Sequence, residues 1–348
     1  MTAGPPAADE QEPSGAPGPG PELPALTGPP GARTFSIEGR AAPGLYVGGW
    51  FLGLVGALLI VLAVFDASGA AAVVFAGAGL VALVMAFAAA CGYQLVARSS
   101  RPEGAYRGPA PLLLLGFVLA LSTLVELGVG LTGLVDARPT LTFLLAVLIP
   151  AAVYLAAVHL FAVRGGALTW AGLARLRPGP PVRRLGDWLV GAAAGISLVL
   201  PVLIGSAALT AILGTVPDSS LPHLTGDVDG LVIAVGAVLI APFGEEIFFR
   251  GFVYSAWRLD LGVTAAIRRS AILFAAVHVL NVAVSPQDPL TSIGAQLLIQ
   301  FLVIVPAGLL LAFMYERRGL AASLGAHMAY NGGLLFLAAL ATRAVQGA

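Results

Sequence analysis

The chain has 348 residues, of which 58% are hydrophobic and 10% charged, and its formal net charge is zero. A soluble domain carries roughly a quarter charged residues, so this composition excludes an ordinary water-facing globule, and the balanced charge gives no pull toward nucleic acid. The single cysteine, Cys91, excludes an intramolecular disulfide and a cysteine-based metal cluster.

Residues 1–44 are rich in Pro and Gly and poor in aromatics, the composition of a disordered tail. The first apolar run begins only near Leu45, so no signal peptide is read. Nine apolar segments follow, at approximately 45–65, 70–96, 110–135, 141–163, 186–214, 229–257, 262–280, 291–315 and 319–341. Runs of about 20 apolar residues match the thickness of a bilayer. Lipid offers no partners to exposed backbone groups, so such runs must be helical, and the alternation of a membrane barrel is absent. The expected fold is an all-α polytopic bundle of 8–9 transmembrane helices. It divides into the tail (1–44), N-terminal helices (45–164) and a C-terminal core (186–341).

The loops give an orientation. All basic residues are Arg. If nine helices alternate, Arg33, Arg40, Arg98, Arg101, Arg107, Arg164, Arg175, Arg177, Arg183, Arg184, Arg250, Arg258, Arg268, Arg269, Arg317 and Arg318 fall on one side. Only Arg138 and Arg343, with the acidic residues Asp218, Asp227 and Asp229, fall on the other. Arg excess marks the cytoplasm. The expectation is a multi-pass protein of the cell membrane with a cytoplasmic N-terminus and an external C-terminus. Trp50, Trp170, Trp188 and Trp257 sit near cytoplasmic ends, where interfacial anchors belong.

Three stretches carry polar chemistry inside apolar helices. In Pro242-Phe-Gly-Glu-Glu-Ile-Phe-Phe-Arg250-Gly251, Glu246 and Arg250 are four apart and can pair on one helix face. Glu245 is turned about 100° away, toward Phe249, into a desolvated setting that suits a general base. A purely structural salt bridge is the alternative for this stretch. Phe274 and His278 share a face of the seventh segment, where a lone His is often only hydrogen-bonded in the bundle. His327 and Asn331 share a face of the ninth and can aim two donors at one point, as an oxyanion hole requires; interhelical polar glue is the alternative. Depth links the three. His278 lies nine residues after Arg269 and His327 nine after Arg318, so both imidazoles sit roughly 13 Å past a cytoplasmic Arg. Glu245, on a helix running the other way, reaches a similar depth.

The ordered series Glu245-Glu246-x-x-x-Arg250, Phe274-x-x-x-His278 and His327-x-x-x-Asn331 resembles the CPBP family, the CAAX prenyl proteases and bacteriocin-processing enzymes also called the Abi family. The resemblance covers roughly 186–341. It implies a metal-independent glutamic endopeptidase acting on a protein or peptide substrate, with no cofactor; the shared depth of the residues sets the expected cleavage at the cytoplasmic side of the bilayer. On that reading Glu245 and His278 activate water, His327 and Asn331 stabilise the oxyanion, and Glu246, Arg250 and Phe274 support them. Helices before residue 186 are not diagnostic.

Other polar residues are weaker signals. Glu126 and His159 could line a substrate path or be satisfied within the bundle. Ser197 and Ser206 lack a base at helical spacing, and Ser323, four before His327, has no third group in view. Three other readings stay open. One is a zinc protease using His278, His327 and a Glu. Another is a non-catalytic scaffold or immunity protein. The third is a proton-coupled transporter, for which Pro201, Pro242 and Pro306 could break helices.

Overall fold

The computed structural model describes residues 1, 37, 39–65, 67–134, 138–175, 180–215, 228–282 and 289–346. The chain divides into Met1–Glu38 and Gly39–Ala348, and all the elements below belong to the second unit. Most of the tail assigned to 1–44 lies outside the described residues, as do Arg33, Arg177, Asp218 and Asp227.

The described residues form helices and no strand. α1 is Pro43–Phe65, α2 Gly69–Arg98, α3 Pro111–Gly130 and α4 Pro139–Ala157, extended by a π-helical segment, Val158–Val163. A short helix, α5 (Trp170–Ala174), precedes α6 (Pro181–Leu213). α7 is one continuous rod made of Val228–Val235, a π segment Gly236–Ile240, Ala241–Glu245, a second π segment Glu246–Tyr254, and Ser255–Leu261. α8 is Val263–Val279, α9 Leu290–Arg318 and α10 Leu320–Gln346. Among the described residues, eight helices are long and apolar enough to cross a membrane. The apolar segment 262–280 forms a helix of 17 residues, α8, which is not among those eight. The polytopic all-α bundle read from the sequence is the observed fold.

Proline and glycine set the helix limits. α3 and α6 have Pro in the first turn, where the missing N–H costs nothing. Pro201 and Pro306 lie inside unbroken helices, and Pro242 starts a helical turn within α7. Gly262 (φ 82°) and Gly319 (φ 83°) each form a one-residue turn in the left-handed region that glycine alone enters freely. These tight turns make α7–α8 and α9–α10 into two helical hairpins. Within α7–α8, Glu245 lies 17 residues before Gly262 and His278 lies 16 after it, which brings the two to equal height.

Lipid supplies no hydrophobic drive between helices, so close van der Waals contact through small residues holds them together. A Cβ at Gly191 would stand 1.9 Å from the Ala322 carbonyl oxygen, at Gly195 2.0 Å from that of Ala326, and at Gly325 2.2 Å from that of Trp188. α6 is therefore pressed backbone to backbone against the part of α10 that carries His327. Gly244 approaches Ala151 of α4 in the same way, and Gly308 of α9 approaches Ala271 of α8. The core lies where α3, α4, α7 and α8 meet, around Leu114, Tyr154, Phe248, Phe249, Phe252 and Phe274.

Two features depart from the sequence reading. α5 lies between the apolar segments, where the sequence pattern shows no helix; it is capped by Thr169, whose hydroxyl accepts from Gly172 N at 3.1 Å. The regular α-helix expected around the carboxylates is π-helical from Glu246 to Tyr254. All nine residues there are buried, and packing of Phe248, Phe249 and Phe252 on every side overrides the local preference for α geometry.

The α6–α10 contact yields a test. Gly195→Ala adds one methyl where a carbonyl stands and should lower the melting temperature of the purified protein clearly. Gly205 lies on the same helix at a position where an added Cβ would meet nothing within 4 Å. Gly205→Ala should leave the melting temperature unchanged or raise stability by up to about 1 kcal/mol through helix propensity. Equal effects at the two positions would contradict the close packing.

Candidate active site

The site is built from one turn of α7, the C-terminal half of α8 and the N-terminal half of α10. Its base is the Glu246–Arg250 pair. Both side chains are fully buried, and Arg250 Nη1 lies 3.1 Å from Glu246 Oε1. Burying two charges is costly unless the pair is well held. Arg250 Nη2 donates to the Gly308 carbonyl at 3.4 Å, and its guanidinium lies 4.2 Å from the centre of the Phe274 ring. That contact is a cation–π interaction made in a desolvated place, where it is strongest.

Glu246 is held from three sides. His327 Nδ1 donates to Oε1 at 2.9 Å, and the Ser323 hydroxyl makes a short hydrogen bond to Oε2. The same hydroxyl oxygen lies 3.0 Å from the Leu311 carbonyl. Ser323 and His327 are one turn apart on α10, so a single carboxylate fixes two successive turns. The Ser323–His327 spacing lacked a third group when read from the sequence. That group is Glu246, which joins Ser323 to the buried network and gives no sign of a serine nucleophile.

Glu245 behaves differently. Its side chain remains about one-fifth exposed, and its Oε2 faces His278 Nε2 at 3.8 Å and His327 Nε2 at 3.7 Å. Both distances are too long for direct hydrogen bonds. His278 Nδ1 is 2.8 Å from the Phe274 carbonyl oxygen, and a carbonyl can only accept, so the proton sits on Nδ1. The same reasoning places a proton on His327 Nδ1, against the Glu246 carboxylate. Each ring thus turns its Nε2 toward the same carboxylate oxygen, across a gap that small polar reactants can enter. Among the described residues no group of three His, Cys, Asp or Glu side chains is arranged to hold a metal ion.

Phe274 is the common wall of this site. Its ring is 4.3 Å from that of His278 and 5.7 Å from that of His327, centre to centre, and packs edge-on to Phe249 at 5.2 Å. Asn331 lies one turn beyond His327. Its Nδ2 donates to the Ala237 carbonyl at 2.9 Å, in the π segment Gly236–Ile240, where the i→i+4 ladder is interrupted. One of its two amide hydrogens is therefore committed, and among the described residues nothing accepts the second. Glu126 is exposed on α3, and His159 stacks on Trp170 with ring centres 6.0 Å apart. The structure brings neither into the site.

A second polar cluster braces the Arg-rich end. Glu316 accepts from Arg175 in a short contact, from the Tyr254 hydroxyl at 2.6 Å and from Arg258 Nε at 3.2 Å. Tyr315 donates to the Leu173 carbonyl at 2.6 Å. These bonds tie α5 to the α7–α8 and α9–α10 hairpins. Sequence spacing could not reveal them, because Arg175 and Glu316 are far apart in the chain.

Residues 227–333 match the model of a family described as type II CAAX prenyl endopeptidase Rce1-like. Neither a curated protein nor a solved structure matches the chain. The stretch contains Glu245, Glu246, Arg250, Phe274, His278, His327 and Asn331. The family resemblance read from the three motifs is borne out over this stretch, 107 of the 348 residues. α1–α6 lie outside it.

The two glutamates should separate in stability. Glu246→Gln leaves Arg250 buried without its counter-charge and should cost about 3–5 kcal/mol, the usual consequence of breaking a buried pair. Glu245→Gln removes no direct hydrogen bond and should melt close to the wild type. Thermal denaturation of the purified variants reads both, and equal losses would mean that both glutamates serve the fold alone.

Proposed function

We propose that the chain is an intramembrane glutamic endopeptidase that hydrolyses a peptide bond of a protein or peptide substrate at the cytoplasmic side of the bilayer, without a metal. The observation that supports this most is the convergence of His278 Nε2 and His327 Nε2 on one oxygen of a partly open Glu245. A water in that gap gives one proton to the Glu245 carboxylate and directs its other hydrogen to His278 Nε2. The oxygen attacks the scissile carbonyl carbon, and the C=O bond becomes a C–O⁻. His327 already gives its Nδ1–H to Glu246, so it acts on that oxygen as an imidazolium, through a second proton on Nε2, beside the uncommitted amide hydrogen of Asn331. Collapse of the intermediate breaks the C–N bond, and Glu245 returns its proton to the leaving amine. The products are a carboxylate and an amine. Glu246, Arg250 and Phe274 never meet the substrate; they hold His327 and His278 in place.

The Arg-rich turns between α7 and α8 and between α9 and α10 support a cytoplasmic placement of that end of the bundle, with the N-terminus inside, and a site reached from that side. If α8 counts as a crossing, the C-terminus is outside. Reporter fusions at both termini test this: opposite sides are expected, and the same side would make α8 a re-entrant helix.

A second reading is favoured by the same histidines. An imidazole whose Nδ1–H is held by a carbonyl or carboxylate and whose Nε2 is free is the form that binds zinc. One experiment separates the two. Membrane and secreted peptides from cells carrying the wild type and Glu245→Ala are compared by mass spectrometry, and a synthetic peptide of the missing product's precursor serves as substrate. Purified wild type should cleave it equally with and without EDTA, and Glu245→Gln should not cleave it. Loss with EDTA and recovery with zinc would move the assignment to a zinc protease. Wild-type turnover by Glu245→Gln would end the glutamate mechanism.

A further inference from the structure

α8 is built differently from the eight long apolar helices. Its 17 residues span roughly 26 Å, short of the ~30 Å hydrocarbon core of a bilayer. It also carries two adjacent charges, Arg268 and Arg269, two turns past the Gly262 corner. The helix has two distinct faces. Ala266, Ser270, Ala271, Phe274 and Ala275 are buried, and Gly308 of α9 closes on Ala271. Arg268, Arg269, Ile272, Ala276 and Leu280 are exposed. These exposed positions follow one another at three or four residues, which makes a single stripe. Two guanidinium groups thus head an apolar stripe that faces the bilayer.

Other arginines at this end of the bundle have work inside the protein. Arg175 and Arg258 share Glu316, Arg318 meets Asp187, and Arg101 pairs with Asp260. Among the described residues, nothing engages the side chain of Arg268 or Arg269. Two neighbouring like charges in or near hydrocarbon need an anion. Geometry says where it lies. α8 enters the bundle from Gly262, and each Cα–Cβ bond tilts toward its helix's N-terminus. Both side chains therefore lean back toward the Arg-rich end, and from a depth of roughly 10 Å they reach up toward the headgroup layer. The abundant anion of that layer is a lipid phosphate, whose oxygens match the paired N–H donors of a guanidinium. Ile272, Ala276 and Leu280 continue the stripe where the acyl chains of the same lipid would run.

We infer that Arg268 and Arg269 form a binding site for the phosphate of an anionic phospholipid, whose acyl chains lie along the exposed stripe of α8. The site is independent of the protease reading, since it needs only the membrane-embedded bundle. It anchors a helix too short and too charged for hydrocarbon alone to hold, and that helix carries Phe274 and His278.

Native mass spectrometry of the full-length protein tests this, with phosphatidylglycerol and phosphatidylcholine of the same chain length as probes. A basic residue near an anionic lipid surface gives roughly a five-fold preference, so the wild type should bind its first phosphatidylglycerol about 30-fold more tightly than phosphatidylcholine. Either Arg268→Gln or Arg269→Gln should lower that ratio about five-fold, and the two together should bring it close to one. Arg164→Gln with Arg184→Gln removes the same charge from exposed residues expected at the same end, and should leave the ratio near the wild-type value. A wild type that binds both lipids alike overturns the inference, whatever the variants do. An equal fall in the two double variants also overturns it, because the effect is then general surface charge. Inorganic phosphate at millimolar concentration should not displace the lipid; displacement would make this a site for a free anion and reject the lipid.

Discussion

The site depends on one interaction, the ion pair between Glu246 and Arg250 in the fully buried middle of α7. Two opposite charges four residues apart would be a minor surface contact in water. In a wall of aromatic rings the desolvation cost is severe, and the pair persists because each partner has further bonds. Arg250 has the Gly308 carbonyl and the face of Phe274. Glu246 has Ser323 and His327. Through those bonds the pair ties α7 to α8, α9 and α10, and it sets the ring orientation of His327. Among the described residues, the neighbouring Glu245 makes no direct hydrogen bond. Adjacent carboxylates thus take opposite roles, one spent on structure and one kept available.

The helix packing serves that arrangement. Gly191, Gly195 and Gly325 let α6 lie directly on the α10 backbone, which leaves α10 no room to slide. Gly262 and Gly319 turn the chain within one residue, so the depth of each histidine is set by counting from a fixed corner. Gly244 admits α4 to close range of α7, and Gly308 admits α9 to close range of α8. Small residues therefore do in lipid what a hydrophobic core does in water.

Much of this was legible in the sequence. Apolar run length gave the all-α bundle, and helical spacing placed Glu246 with Arg250 and Ser323 with His327. Equal distances from Arg269 and Arg318 put His278 and His327 at one depth. What spacing could not give were contacts set by rotation and by distant chain. Glu246 reaching His327 and Ser323 depends on how α10 faces α7. The π-helical path from Glu246 to Tyr254 arises from all-round packing and has no local signature.

The most direct test of the central claim is a variant that carries Glu246→Met and Arg250→Met together. Replacing a buried ion pair by apolar residues of similar volume is often neutral or stabilising, so the double variant should melt at or above either single substitution. Its turnover of the peptide substrate should nevertheless be lost, because His327 Nδ1 no longer has an acceptor to fix the ring. A stable double variant that cleaves at the wild-type rate would show that the pair does not position His327 for the proposed reaction, and would contradict the account.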